Sequence, residues 1–487
     1  MEDKFLVRIM KSTIRNLKNV GFGEIKYMNH GCIQKEAIIK NADIVGIYGQ
    51  NGSGKTALVE SIDILKYIIT STEIPYKTYA GILSKELPVC ISTVFFVEKG
   101  ELKYKAQYDA YISANEEKEK IEIYKEKLSY WVWGASWKAQ RDIEFYNPYY
   151  ETEDIIENRV LTVQSEHMSS FKKIEFLSSM QNLAIYCSQR NISVFFNNQV
   201  LKNLNLIDDN EARTLYNVIA SLMHFGKADL HVIKVNQLGA INDNKIIPLN
   251  LHHETESSVI QGCLPLFVNG QGELSEEIFY LFSATIDAIN IVLRSIIPNL
   301  QIYMEKKNIL EKEDGKKYIQ VEVYSMREDK KFLIRYESEG IKRIISLLNY
   351  LVSVYNNQRV CLVVDEMDSG IFEYLLGELL GLMHEEMKGQ LIFTSHNLRV
   401  LEKFDAKNII CSTTNSNNRY IRLTGIGNNN NKRDFYIRAI TVGGQKEELY
   451  DEDDLIAMGY AFRKAGRLNK NIEIPFSNEF QRKLKEY

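Results

Sequence analysis

Eight residues, Gly49-Gln50-Asn51-Gly52-Ser53-Gly54-Lys55-Thr56, constrain this chain more than any others. They fit the pattern G-x-x-x-x-G-K-[ST]. Before them lies a short apolar run, 43–48 (Asp-Ile-Val-Gly-Ile-Tyr), which reads as a buried strand entering a tight turn. After them, Leu58, Ile62, Leu65 and Ile69 follow helical spacing. Strand, glycine loop and helix therefore follow one another directly. Glycine lets the backbone curl until successive N–H groups point at one anion, and the following helix aims its N-terminal dipole at the same place. Lys55 is expected to reach the β- and γ-phosphates of a nucleotide, and Thr56 to ligate Mg²⁺. At ordinary residue frequencies a chain of 487 residues has only ~2% odds of such a match by chance.

A second constellation lies some three hundred residues on. Val360-Cys361-Leu362-Val363-Val364-Asp365-Glu366 is an apolar strand ending in two carboxylates, with the continuous apolar run expected when both faces are covered. Alone, such a strand is often just capped by an acidic turn. Coupled to a phosphate loop, Asp365 is placed to support Mg²⁺ and Glu366 to polarise an attacking water. A helix over 371–387 and an apolar strand over 390–394 follow. Strand, helix and strand in that order imply a parallel, right-handed crossover. Thr394-Ser395-His396 then puts a histidine at the C-terminal edge of the sheet, where ligands bind, within reach of a γ-phosphate. Upstream, Ser338 is a good N-cap for a helix from Glu339 to about Tyr355, and it leaves free N–H groups at the helix start. Read alone, Ser338-Glu339-Gly340 describes an ordinary capped helix.

Strands are expected at 4–10, near 35–40, as a hairpin over 91–98 and 102–109, and as a meander near 300–306, 318–325 and 331–336, with a turn at 313–317. The charged stretch 115–128 reads as an exposed connection or strand pair, 150–270 as mostly helical and mixed, and 275–297 as a strong amphipathic helix. The loops at 415–418 and 428–431 are rich in asparagine. The net charge of −4 argues against general coating of nucleic acid. Six dispersed cysteines (Cys32, Cys90, Cys187, Cys263, Cys361, Cys411) form no Cys-x-x-Cys pair, so they read as buried thiols in a reducing cytoplasm rather than as zinc ligands. No signal-peptide pattern opens the chain and no apolar run reaches the ~18 residues needed to span a membrane, which excludes a transporter with fused membrane spans.

Together these pieces resemble the ABC-type P-loop ATPases, and within them the OLD/Rad50/SMC-like, AAA15/AAA21 group. Gly49–Thr56 matches the Walker A motif and Val360–Glu366 the Walker B motif. Asp368-Ser369-Gly370 resembles the D-loop, His396 the switch histidine, and Glu337-Ser338-Glu339-Gly340-Ile341-Lys342-Arg343 a diverged signature. Ile14–Asn19 resembles a stretch found early in such chains. The full Leu-Ser-Gly-Gly-Gln signature is absent, the D-loop lacks its Leu-Asp pair, and Gln107 is only a nominal Q-loop glutamine. The resemblance implies an α/β fold: an ABC-type core with a mixed or parallel sheet, split into 1–110 and 275–427, a large, mostly helical lobe inserted at 111–274, and an extension over 428–487. It implies ATP and Mg²⁺ as cofactors, and a homodimer sandwiching ATP. Each site would take Gly49–Thr56, Asp365, Glu366 and His396 from one chain, with Ser338 and Gly340 from the other. Many relatives of this layout are subunits of bacterial antiphage systems (Septu, PARIS, retron-associated ATPases).

Three functions compete. The first is a regulatory ATPase that senses infection and controls a separate effector such as a nuclease. The second is a repair or chromosome-associated ATPase that binds nucleic acid directly. The third is a self-sufficient nuclease, which needs an acidic metal cluster away from the ATP site. The run Glu447, Glu448, Asp451, Glu452, Asp453 and Asp454 reads as a solvated face or partner site. His252 and His253 lack metal-ligand companions and read as surface or loop residues.

Overall fold

The computed structural model describes residues 5–27, 43–134, 140–146, 161–164, 180, 182–235, 246–254, 259–267, 272–311, 317–328, 330–426, 431–450 and 455–468. In chain order, β1 (Phe5–Leu17) and β2 (Val20–Lys26) form a hairpin, β3 (Asp43–Tyr48) enters the glycine loop and α1 (Lys55–Ile69) leaves it. Next come β4 (Val89–Lys99), β5 (Leu102–Asn115), β6 (Lys120–Val132), β7 (Arg141–Tyr146), β8 (Leu161–Gln164), α2 (Asn198–Leu206), α3 (Asn210–His224) and β9 (Leu230–Ile233). Then follow β10 (Ile246–Glu254), β11 (Val259–Phe267), β12 (Gly272–Ser275), α4 (Glu276–Ile296), β13 (Leu300–Glu311), β14 (Lys317–Arg327) and β15 (Lys330–Leu333). The remainder is α5 (Glu339–Asn356), β16 (Cys361–Val364), α6 (Glu373–Glu386), β17 (Gln390–Thr394), β18 (Ile409–Ser412), β19 (Tyr420–Ile421), α7 (Lys432–Thr441) and α8 (Leu455–Leu468).

The fold is mixed α/β, as expected. A six-stranded sheet in the order β19-β18-β3-β17-β16-β9 is parallel except for β19. The middles of β3, β16 and β17 are apolar because both faces of the sheet are covered. Val45, Ile47, Cys361, Val363 and Ile392 face α1 and the antiparallel sheet β2-β1-β4-β5-β6-β7-β8. Ile44, Leu362, Val364 and Phe393 face Leu347, Leu351 and Val354 of α5 and Leu376, Leu380 and Met383 of α6. α1 is thus sandwiched between two sheets, which is why Leu58, Val59, Ile62, Leu65, Ile68 and Ile69 are all buried. At about 1.5–3 kcal/mol per fully buried apolar side chain, this layer holds the phosphate loop rigidly against the sheet edge. The chain between α5 and β17 packs as closely. A Cβ on Gly389 would meet the Val354 side chain at 2.5 Å and the Val360 carbonyl at 2.6 Å. Gly389→Ala is therefore expected to destabilise the fold by about 1–3 kcal/mol, read as a lowered urea midpoint at unchanged slope.

The mostly helical lobe expected over 111–274 is replaced by a mixed one. Among its described residues, β6, β7 and β8 extend the antiparallel sheet, β10 and β11 pair as a hairpin, and only α2 and α3 are helices of nine residues or more with described bounds. β9, from the middle of that segment, enters the core sheet beside β16. The charges over 115–128 belong to a strand pair whose buried positions include Ile112, Ile121, Ile123 and Leu128. His252 and His253 fall on β10, opposite Gln261 and Ile260, rather than in a loop. One helix, α4, is after all long and apolar enough by composition to cross a membrane. Its stripe of Phe279, Phe282, Ile286, Ile289 and Leu293 is buried with Leu300, Ile302, Val321 and Val323 of the β12–β14 sheet. The expected strand near 35–40, residues 313–316 of the expected turn and residues 428–430 lie outside the described residues. Cys90, Cys187, Cys361 and Cys411 are buried free thiols.

Candidate active site

The glycine loop leaves β3 with positive φ at Gly49 (+151°), Gly52 (+79°) and Gly54 (+91°). At Gly49 a Cβ would lie 2.0 Å from the Ser412 hydroxyl, so no side chain fits. Gly54 is the N-cap of α1 and supplies no side-chain cap, leaving the first amides of that helix for an anion. Lys55 Nζ donates to the Gly49 and Gln50 carbonyls, 2.9 Å each. Burial lowers the Lys55 pKa, opposed by Asp365, Glu366 and Asp368, so this one ammonium faces three carboxylates. Ser53 Oγ donates to the Gln50 carbonyl at 2.7 Å.

Motif reading did not find the frame around the loop. Tyr420 OH donates to the Gly54 carbonyl at 2.7 Å, and Asn19 Nδ2 donates to the Gly52 carbonyl. Arg419 ties the Thr413 carbonyl (2.6 Å) and the Asn19 carbonyl together. The asparagine-rich turn 415–418 is clipped in turn by Glu447, whose carboxylate accepts from Asn415 (2.9 Å) and Asn418 (2.7 Å). The start of the acidic run is thus part of this frame, and residues 451–454 lie outside the described residues.

The two carboxylates at the end of β16 have different surroundings. Asp365 is buried. Its Oδ1 accepts from Thr394 Oγ1 at 2.6 Å and lies 3.5 Å from Thr56 Oγ1. Its Oδ2 is buried with no hydrogen-bond partner. A buried, orphaned carboxylate oxygen beside a threonine hydroxyl is a donor set suited to Mg²⁺, which takes one or two protein oxygens and completes its shell with water and phosphate. Glu366 is half-buried with φ +45°, a conformation that costs a non-glycine residue about 1–3 kcal/mol and clusters at active sites. Its N–H donates to Thr394 Oγ1 at 2.8 Å, so one hydroxyl holds both acidic residues. His396 is exposed, and its N–H donates to Asp368 Oδ2 at 3.0 Å. Partial burial of the ring, then the charge on Lys55, lowers its pKa.

Arg343 closes the signature segment, but its place at the site was not legible from the sequence. It sits on α5, is 2% exposed, and has Nη2 3.5 Å from the Asp365 carbonyl. Burial pushes its pKa down to about 10 against the pull of Asp365, Glu366 and Asp368. No spacing rule places a guanidinium from one helix behind the carboxylates of a distant strand.

The structure thus brings Lys55, Thr56, Asp365, Glu366 and His396 to one sheet edge. Ser338 and Gly340 lie to the side of it. Ser338 caps α5 by accepting from the Ile341 N–H (3.4 Å), and Gly340 abuts Gly370, whose carbonyl would lie 2.3 Å from an added Cβ. Gln107 is not at this edge. Its amide donates to Asp109 (3.0 Å) within the antiparallel sheet, because alternate residues of β5 point away from the core. The strand flanking β16 is β9, and the chain leaving it reads Lys234-Val235-Asn236-Gln237. Gln237 lies outside the described residues. Lys234 Nζ pairs with Asp63 Oδ2 of α1 (2.6 Å) and donates to Tyr79 OH (2.7 Å). Among the described residues no group of three or more His, Cys, Asp or Glu side chains is placed to hold a metal by itself.

No family model matches the sequence, and no curated protein is similar to it in sequence. Solved structures do overlap with it. The SMC head domain from Thermotoga maritima is 12% identical, over 86% of this chain and 100% of that one, with a TM-score of 0.36. The Pyrococcus furiosus SMC head with an extended coiled coil, bound to the C-terminal domain of ScpA, is 12% identical over 86% and 96%, TM-score 0.38. The recombination mediator protein RecF is 11% identical over 81% and 94%, TM-score 0.32. At such values the functional reading rests on this chain's own residues.

Proposed function

We propose that this chain binds and hydrolyses ATP as an ABC-like ATPase and dimerises around the nucleotide. The orphaned Asp365 Oδ2 beside Thr56, at the mouth of a glycine loop whose amides have no side-chain cap, carries the reading. Gly49 to Gly54 cradle the phosphates with main-chain N–H groups, and Lys55 swings from the Gly49 and Gln50 carbonyls onto them. Thr56 and Asp365 would hold Mg²⁺, which supplies charge neutralisation for the leaving phosphate. Glu366 orients the attacking water and accepts its proton. His396 offers a hydrogen bond to the γ-phosphate. Chelating divalent metal with EDTA is expected to abolish turnover, measured as phosphate release; undiminished release would remove Thr56 and Asp365 from the role given them.

Support for the homodimer comes from what surrounds the signature segment. Tyr336, Phe372 and Tyr374 are 69%, 73% and 54% exposed, and they flank Ser338 and the Asp368–Gly370 turn. Aromatic residues left in water around a free helix N-terminus fit a face that a second copy covers, its γ-phosphate meeting Glu339 and Gly340 amides. Ser338→Arg is expected to leave ATP binding by the monomer intact and to abolish ATP-dependent dimerisation, read by light scattering. A dimer that survives the arginine would argue against this face.

The role we assign is that of the sensor and regulatory subunit of a cytoplasmic antiphage complex acting on a separate effector, a nuclease. The competing reading, a repair or chromosome-associated ATPase, requires direct nucleic-acid binding. Lysines on the antiparallel sheet are largely matched by acids, as in Lys127 with Asp142 (3.3 Å) and Glu144 (3.4 Å), which supports the first. Tight DNA binding by the isolated protein with a steep salt dependence would favour the second.

A further inference from the structure

Two buried groups of opposite charge lie beside the site without pairing. Arg343 is in the second turn of α5, counted from its cap Ser338, and is 2% exposed. Its Nη2 reaches the Asp365 carbonyl only at 3.5 Å, and its Nε and Nη1 are buried with no hydrogen-bond partner. With a pKa of about 10 it is charged at pH 7. Asp368 is its complement. The Oδ2 of Asp368 accepts from the His396 N–H at 3.0 Å, while its Oδ1 is buried with no partner. Of the other carboxylates that Arg343 faces, Asp365 is committed to Thr394 and Thr56, and Glu366 is half-buried and partly solvated. Unmatched buried donors and an unmatched buried acceptor each cost free energy, and a conformation that pairs Arg343 with Asp368 would recover both costs.

The segments that carry the two groups already touch. Gly340, in the first turn of α5, packs on Gly370, two residues beyond Asp368. The same turn is tied to the acidic end of β16, with the Ser369 N–H on the Glu366 carbonyl (3.0 Å) and the Ile371 N–H on the Asp368 carbonyl (3.1 Å). Helices at subunit interfaces shift by about 1–2 Å in switching transitions, and the Gly340–Gly370 contact would pass such a shift of α5 to the turn. We propose that Arg343 is a positioning residue: when the γ-phosphate of a second copy docks on α5, the guanidinium closes on Asp368 Oδ1 and fixes the turn that holds the main chain of Glu366 and His396. Arg343 acts through Asp368 and not on the nucleotide. Each chain then sets its own hydrolytic residues only while its α5 is occupied, which ties hydrolysis to the dimer. The proposal rests on the ATPase and dimer reading above.

The test is a double-mutant cycle. Arg343→Met keeps the stem and removes the guanidinium; Asp368→Asn keeps the shape and removes the charge. Dimer dissociation constants are measured by light scattering with the non-hydrolysable analogue AMP-PNP at saturation. Each single variant should weaken the dimer about tenfold or more, and the double variant no further than the more impaired single. In urea unfolding of the nucleotide-free chain the same two changes should be additive, because the pair is not formed there. Phosphate release at saturating ATP should fall about tenfold in either single variant. If Arg343→Met does not fold, Arg343→Gln takes its place in the cycle. Additive losses of dimer affinity, or equal coupling in the nucleotide-free chain, would overturn the proposal and leave the dimer reading intact. A wild-type chain that forms no dimer with saturating AMP-PNP would instead overturn the dimer reading itself.

Discussion

Lys55→Ala is expected to lower ATP affinity by two to three orders of magnitude, measured by calorimetry on the purified chain. A charge-assisted hydrogen bond contributes about 1.5–3 kcal/mol. An ammonium shared between two phosphates makes two of them; in the lower half of that range they total about 3–4 kcal/mol, or ~10²–10³ in dissociation constant. The local charge balance works in the same direction. Burial lowers the Lys55 pKa against the pull of Asp365, Glu366 and Asp368, three carboxylates that Arg343 also faces, and removing the ammonium leaves them less balanced toward the incoming anion. The fold should not suffer, because the hydrogen bonds of Lys55 Nζ reach only the carbonyls of its own loop, Gly49 and Gln50. ATP bound with ordinary affinity by a folded Lys55→Ala chain would refute the phosphate-loop assignment.

Glu366→Gln should do the opposite to binding and more to turnover. Glutamine keeps the size and the hydrogen-bonding carbonyl but cannot take a proton, so hydrolysis is expected to fall about 10²–10⁴-fold, the usual contribution of a general base, while ATP affinity stays within about threefold of wild type. With the γ-phosphate persisting at the interface, the dimer should accumulate on addition of ATP and be visible by gel filtration. The backbone constraint is the same for both residues: φ +45° at position 366, with its N–H on Thr394 Oγ1 at 2.8 Å. Thermal stability should therefore be unchanged within about 0.5 kcal/mol. Unchanged turnover would assign the water-activating role elsewhere.

Chelation, Ser338→Arg, Lys55→Ala and Glu366→Gln separate four things that a single activity assay would merge. The first concerns Thr56 and Asp365, the second the interface, the third phosphate binding and the fourth the proton acceptor. Loss of turnover with retained ATP-dependent dimerisation is expected only for Glu366→Gln.

Local sequence determined the pieces whose geometry is set by near neighbours. The glycine loop, the strand before it and the helix after it could be read because φ preference, apolar run and helical spacing all act within about twenty residues. The same holds for Ser338 as a cap, and for Asp365 and Glu366 at the end of a run buried on both faces. Tertiary structure alone decided what depends on pairing across long stretches of chain. β9 lies in a segment with no motif, and it became a core strand only through its register with β16. β6 was legible only as one of two alternatives for 115–128, and β7 and β8 were hidden, because charges on one face of a strand obscure an alternation that matters only once the other face is buried. Arg343, Thr394, Asn19 and Tyr420 reach the site from four separate elements. Asn19, Arg343 and Thr394 fall inside recognisable motif stretches, but their contacts could not be read until the sheet brought them to their partners, because hydrogen bonds are short-ranged and directional.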